Sequence, residues 1–209
     1  MNNTKELFEI AAETGDWPSK YQSTNFANYN FITRRKSVES ILNGDLFPSV
    51  LDLGCGTGDY FEVLAKVSER YVGVYFSQSM IKQARLRYAD SPANPQFRES
   101  SAEALPFDDN SFDLVCAIGF IEYFDNPIIP MREIVRVLKP GGVLVMQSFQ
   151  VDLFKKISRV ACLDIAKRIA KYMYGMLGKS LPVCIITSTY FLKQSDDCFR
   201  NCILNFLKK

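Results

Sequence analysis

From residue 49 to residue 149, short apolar runs rich in β-branched residues alternate with segments whose apolar side chains recur at helical spacing. No other feature restricts the fold as much. "SVLDLG" (49–54) reads as a strand and Asp59 to Val67 as a helix. "YVGVY" (71–75) is a strand and Gln78 to Tyr88 a helix. "QFRES" (96–100) and "SFDLVCAIG" (111–119) are strands. Met131 to Leu138 is a helix, closed by Pro140-Gly141-Gly142, and "GVLVMQSF" (142–149) is a buried strand. Parallel strands joined by helices cross over right-handedly and place helices on both faces of the sheet. The expected fold is therefore α/β, with a doubly wound, mostly parallel, Rossmann-like sheet.

The alternation occupies residues 46–150 and is flanked by two different segments. Residues 1–45 read as an arm: a short amphipathic helix from Asn3 to Thr14, an aromatic irregular stretch, and a second helix "TRRKSVESIL" ended by Asn43-Gly44. Residues 151–209 read as a helical cap and the remainder of the same domain. Leu153, Ile157, Val160, Ile165, Ile169 and Tyr172 repeat at helical spacing there. "CIITSTYF" is a strand or a loop, and Gln194 to Leu207 closes the chain as a helix, with "ILNF" an alternative short strand.

Within the core, "LGCGTGDY" sets three glycines between the first strand and its helix. In a doubly wound sheet, ligands bind beyond the carboxyl ends of the strands, where the strand order reverses. Gly54 and Gly56 remove Cβ atoms that would keep a ligand off the backbone, and Gly58 lets the helix pack closely. N–H groups at such a helix start favour an anion. The spacing G-x-G-x-G is not the G-x-G-x-x-G of dinucleotide enzymes. After the acidic Asp52 it suits a ligand with an amino-acid tail and no pyrophosphate. The carboxylate meets the turn while Asp52 lies near the ammonium, which is the shape of S-adenosylmethionine.

Four successive stretches carry a resemblance: "VLDLGCGTG", "VGVYFSQSMIKQAR", "SAEALPFDDNSFDLVCAIGFIEYF" and "EIVRVLKPGGVLVM". In this order and spacing they are similar to the motifs of class I S-adenosylmethionine-dependent methyltransferases, in the branch that includes the ubiquinone and menaquinone methyltransferases. The resemblance implies cofactor contacts from Asp52, Gly54, Cys55 and Gly56, from Tyr75 and Phe76 beside the ribose, from Ser101 and Ala102 beside the adenine, and from Ile118 and Gly119 along its edge. It also implies an acid where Tyr75 stands and an Asp where Ser101 stands, so two anionic acceptors are replaced together. Three accounts of Tyr75 follow: weaker but useful cofactor binding, adaptation to another ligand, or a non-catalytic scaffold that keeps the fold. The family ends in an antiparallel hairpin at the sheet edge, and this sequence falls short of those strands.

The chain has no histidine, so any chemistry at neutral pH rests on carboxylates, tyrosines, cysteines, lysines or positioning. Methyl transfer is an in-line displacement that depends mainly on alignment. The resemblance places the acceptor near "AIGFIEYF", where Glu122 and Tyr123 are the polar side chains. They are the candidate catalytic residues; otherwise Tyr123 packs and Glu122 caps or pairs with a neighbouring helix. Trp17 and Tyr21, with Phe26 and Tyr29, form either a lid over the acceptor or anchors for the arm.

Residues 151–180 carry seven Lys and Arg against two Asp, a surplus of +5 where the whole chain has +2. A basic amphipathic helix of this kind lies on an anionic membrane surface or packs on the core. A small or lipid-like acceptor of quinone or prenyl type agrees with the first reading. A net charge of +2 argues against a nucleic-acid partner. The six cysteines form no CxxC pair, so no metal site is expected. No basic start precedes an apolar stretch and no apolar run reaches the ~20 residues of a membrane span, so a cytoplasmic setting is expected.

Overall fold

The computed structural model describes residues 9–10, 14, 29–42, 44–124, 126–148 and 183–187. Its centre is one sheet of six strands: β1 (Phe47–Leu53), β2 (Ser68–Tyr75), β3 (Gln96–Glu99), β4 (Phe112–Ile118), β5 (Leu138–Ser148) and β6 (Val183–Thr187). The spatial order is β3-β2-β1-β4-β5-β6, and every adjacent pair runs parallel. The order reverses between β1 and β4.

Both faces are covered, which is why the strands read as apolar runs instead of alternating with polar residues. On one face Val50, Tyr71, Leu114 and Val145 pack with Val38 and Leu42 of α1 (Tyr29–Leu42), Phe61 and Leu64 of α2 (Phe61–Leu64), and Met80, Ile81 and Ala84 of α3 (Gln78–Arg87). On the other, Leu51, Leu53, Val72, Val115 and Leu144 pack with Met131, Ile134 and Val137 of α4 (Ile128–Val137). The doubly wound α/β sheet expected from the alternation is the fold observed.

Several boundaries differ for local reasons. The helix read as Asp59–Val67 divides into α2 and a 3-10 turn, Ala65–Val67. Helix α4 starts three residues early, behind Pro127, where the Asn126 side chain accepts from the Ile128 N–H at 3.2 Å and satisfies the first free donor of the helix. Strand β5 follows α4 directly at Leu138, and residues 139–142 are absorbed as an irregularity opposite Phe112 and Leu114. A Cβ at Gly142 would lie 2.8 Å from Leu138 Cδ1 and 2.9 Å from the Lys139 carbonyl, so the Pro-Gly-Gly stretch folds within the strand. "CIIT" forms a strand, and β6 joins β5 in parallel. The sheet thus carries an edge strand beyond β5, where the resemblance implied an antiparallel hairpin. The helix read over 3–14, Trp17, Tyr21, the basic stretch 151–180 and the C-terminal helix lie almost wholly outside the described residues.

The connection from β3 to β4, residues 100–111, has no helix. Arg136 of α4 holds it instead. Its guanidinium donates to the Leu105 and Phe107 carbonyls at 2.9 and 2.7 Å and pairs with Glu133 and Asp109 at 2.7 and 2.9 Å. Glu133 in turn accepts from the Leu105 N–H at 2.7 Å.

Candidate functional site

The turn after β1 and the end of β4 flank the place where the strand order reverses. Gly54, Gly56 and Gly58 have φ of 86°, 55° and 80°, a left-handed conformation that favours glycine. Their neighbours differ from expectation. A Cβ at Gly54 would meet the Phe120 ring at 3.1 Å, so the space there is given to an aromatic side chain from beyond β4. A Cβ at Gly58 would meet Tyr88 Cε2 at 2.7 Å and Phe97 Cζ at 3.1 Å, so this glycine admits the end of α3 and β3 to the turn. The N–H groups of Gly54 and Cys55 both donate to the Val74 carbonyl, at 2.9 and 3.1 Å. Those two donors are spent on β2 and do not face a ligand.

Asp52 is 2% exposed. Its Oδ2 accepts from the Tyr71 hydroxyl at 2.7 Å, and among the described residues no other donor reaches the carboxylate. Burial is the main cause that pushes its pKa up to about 7; the Tyr71 hydrogen bond opposes this and the nearby charge of Asp59 adds to it. Its other oxygen has no hydrogen-bond partner among the described residues. Asp59, also buried, accepts from Thr57 Oγ1 at 3.0 Å and pairs with Arg87 at 3.0 Å, which ties the turn to α3.

Around this acid, Tyr75 is 8% exposed and its ring stacks on Phe76 with centroids 4.7 Å apart. Ser77 caps α3 by accepting from the Met80 N–H at 3.2 Å. Cys55 turns its thiol into the core. Ala102 and Ile118 are buried, and Gly119 leaves β4 with φ of 60°. Ser101 is exposed, and its hydroxyl oxygen accepts from the Glu103 N–H at 3.2 Å, which closes its own turn. Glu122 and Tyr123 lie in a 3-10 turn, Ile121–Tyr123, and Tyr123 is 44% exposed.

Two participants are absent from the sequence reading. Tyr71 is one, and Asp59 with Arg87 is the other. The register carries the missing signal for Tyr71. Val50 pairs with Tyr71 and Asp52 with Gly73, so Tyr71 sits on the same face as Asp52, diagonally across from it.

A reversed strand order with a left-handed glycine turn and a buried acid beside it is the architecture of a Rossmann-like domain. The comparisons sharpen this. Residues 51–146 match the profile of a methyltransferase domain. The demethylmenaquinone methyltransferase of Chlorobaculum tepidum is 31% identical over 183 residues, which cover 86% of this chain and 72% of the relative. That of Staphylococcus epidermidis is 37% identical over 130 residues, covering 59% of this chain and 53% of the relative. Among solved structures, a Pyrococcus horikoshii protein superposes with a TM-score of 0.53 at 31% identity over 63% of each chain. A Methanococcus maripaludis protein named as a candidate S-adenosyl-L-methionine-dependent methyltransferase matches 95% of this chain and 84% of its own, with a TM-score of 0.56. At 22% identity it speaks for the fold alone. The chain belongs to the class I S-adenosylmethionine-dependent methyltransferases.

Proposed function

We propose that this methyltransferase passes a methyl group from S-adenosylmethionine to a small, apolar acceptor of quinone or prenyl type. The observation that carries the cofactor half is the buried Asp52, with one oxygen held by Tyr71 and the other open beside a left-handed glycine turn. The residues present fit the cofactor: Asp52 receives its ammonium, and Phe76, Ala102 and Ile118 offer apolar walls for its nucleoside. The acceptor half is supported by the demethylmenaquinone methyltransferases among the similar proteins.

When bound, S-adenosylmethionine supplies a methyl group activated by its sulfonium. The chain's own contribution is to align and to exclude water. Asp52 fixes one end of the cofactor. Tyr75, in the place of a ribose-binding acid, meets the sugar with a neutral hydroxyl. Tyr123, exposed in the turn after β4, is the candidate to orient the acceptor or take its proton where it carries one, with Glu122 beside it in the sequence; Trp17 and Tyr21, outside the described residues, are the candidate acceptor contacts from the arm. The surplus of +5 over residues 151–180 supports contact with an anionic membrane surface, which suits a lipid-borne acceptor and a cytoplasmic enzyme peripheral to the membrane.

Calorimetry with S-adenosylhomocysteine tests the cofactor half, and methyl incorporation into a demethylated quinone tests the acceptor half. Heat of binding and labelled product are expected; silence at millimolar ligand overturns the first, and an unlabelled quinone the second. Tyr75→Asp is expected to tighten S-adenosylhomocysteine binding about tenfold. A charged acceptor is worth about 1–1.5 kcal/mol more than a neutral one. An unchanged dissociation constant would remove Tyr75 from the ribose.

A further inference from the structure

We infer that Tyr71 is a positioning residue for the cofactor's ammonium: its hydroxyl fixes one oxygen of Asp52 and leaves the other for the ligand. The inference rests on the proposed placement of the ammonium at Asp52.

The geometry is specific. Tyr71 stands on β2 and Asp52 on β1, diagonal neighbours on one face of the sheet. The donor–acceptor distance is 2.7 Å and both side chains are buried. The Tyr71 ring cannot turn away freely, because it stands edge-on to Phe61 and Phe97 with centroids 5.0 and 5.7 Å apart. Burial also pushes the Tyr71 hydroxyl well above the ordinary tyrosine range, so it remains a donor at every physiological pH.

The charged and titratable surroundings of Asp52 are Tyr71 from β2, Cys55 and Asp59 from the turn, Tyr60 after it, and Cys116 from β4. Arg34 of α1 lies near Tyr60. Burial raises both thiols and both tyrosines, so none of them changes charge between pH 5 and 8. The chain has no histidine to titrate there either. Among these groups Asp52 is the one whose pKa is pushed up to about 7. Below its midpoint the carboxyl is neutral and the ammonium loses its counter-charge. Above it the carboxylate is formed, and Tyr71 favours that state because its hydrogen bond is stronger to the anion.

The experiment uses the full chain and two readouts. One is the pH titration of the Asp52 side-chain carboxyl carbon, followed by NMR without ligand. The other is S-adenosylhomocysteine affinity by calorimetry from pH 5.5 to 8. In the unaltered protein the carboxyl midpoint and the acid limb of affinity are expected to coincide near pH 7. In Tyr71→Phe both are expected to move up together by about one pH unit, the worth of one hydrogen bond to a charge. Asp52→Asn, which keeps the shape, is expected to abolish the acid limb. A carboxyl midpoint that ignores Tyr71→Phe overturns the inference. So does a midpoint that moves while the affinity limb stays, and in that case cofactor binding itself still stands. Absence of S-adenosylhomocysteine binding by the unaltered protein at every pH overturns the proposed function, and this inference with it.

Discussion

Asp52→Asn is expected to stabilise the free protein at pH 8 and, in the same molecule, to weaken S-adenosylhomocysteine binding about 100-fold. Both effects have one origin. The folded protein holds Asp52 with its pKa pushed from 3.8 to about 7. A carboxyl raised in this way binds its proton more tightly when folded than when unfolded. Its stabilising contribution is complete below pH 3.8, falls as pH climbs, and is lost once pH passes about 7. About three pKa units correspond to roughly 4 kcal/mol between the two ends of that window. Asparagine carries no charge to desolvate, and its carbonyl still accepts from Tyr71. Its amide N–H groups recover only part of the difference, so a gain of about 1–3 kcal/mol at pH 8 is expected. At pH 5 the gain should vanish or reverse, because about 3 kcal/mol of the folded-state penalty on Asp52 builds up only between there and pH 7. The loss of affinity follows from removing the counter-charge of a desolvated ammonium, worth about 3 kcal/mol in a buried site. Thermal melts at pH 5 and pH 8, beside calorimetry at pH 8, check the pair. A variant that is less stable at pH 8, or that binds S-adenosylhomocysteine undiminished, would contradict it.

Gly58→Val is expected to cost about 4 kcal/mol of stability and to abolish binding at the turn. Valine is a poor occupant of φ near 80°, at about 1–2 kcal/mol. Its Cβ would also lie 2.7 Å from Tyr88 Cε2. Tyr88 has little room to yield. Its hydroxyl donates to the Gly58 carbonyl at 3.0 Å, and its ring stacks on Phe97 and stands edge-on to Phe61 at 4.5 Å. Overpacking of such a site adds about 1–3 kcal/mol. Denaturant unfolding reads the sum directly. Tyr88→Ala alongside Gly58→Val separates the two parts, because removing the ring should return the steric share and leave the backbone share.

Much of this architecture is legible in residue order because its causes are local. The apolar runs of β1, β2 and β4 reflect burial on both faces, and glycine at 54, 56 and 58 reflects left-handed backbone. What the glycines admit is not local. Phe120 over Gly54 and Tyr88 beside Gly58 come from 66 and 30 residues away, and nothing in "GCGTG" names them. Tyr71 has the same character. Read along the strand it is one more apolar position, and only the register of β1 against β2 makes it the donor to Asp52. Ser101 adds a local contact that the motif alone does not show. Its place in the motif invites a ligand contact, and its hydroxyl oxygen also closes the local turn by accepting from the Glu103 N–H, as serines commonly do. The parallel pairing of β6 is a long-range event that "CIIT" alone leaves open between strand and loop.

The passage from β3 to β4 is fastened by Arg136, Glu133 and Asp109 where a crossover helix would bring an apolar stripe. Dissolved ions weaken contacts between charges and leave oily contacts intact or strengthened. Rising ionic strength is therefore expected to weaken the charged half of this seam, while Leu105 and Phe107, packed in the core, keep the segment docked on the sheet.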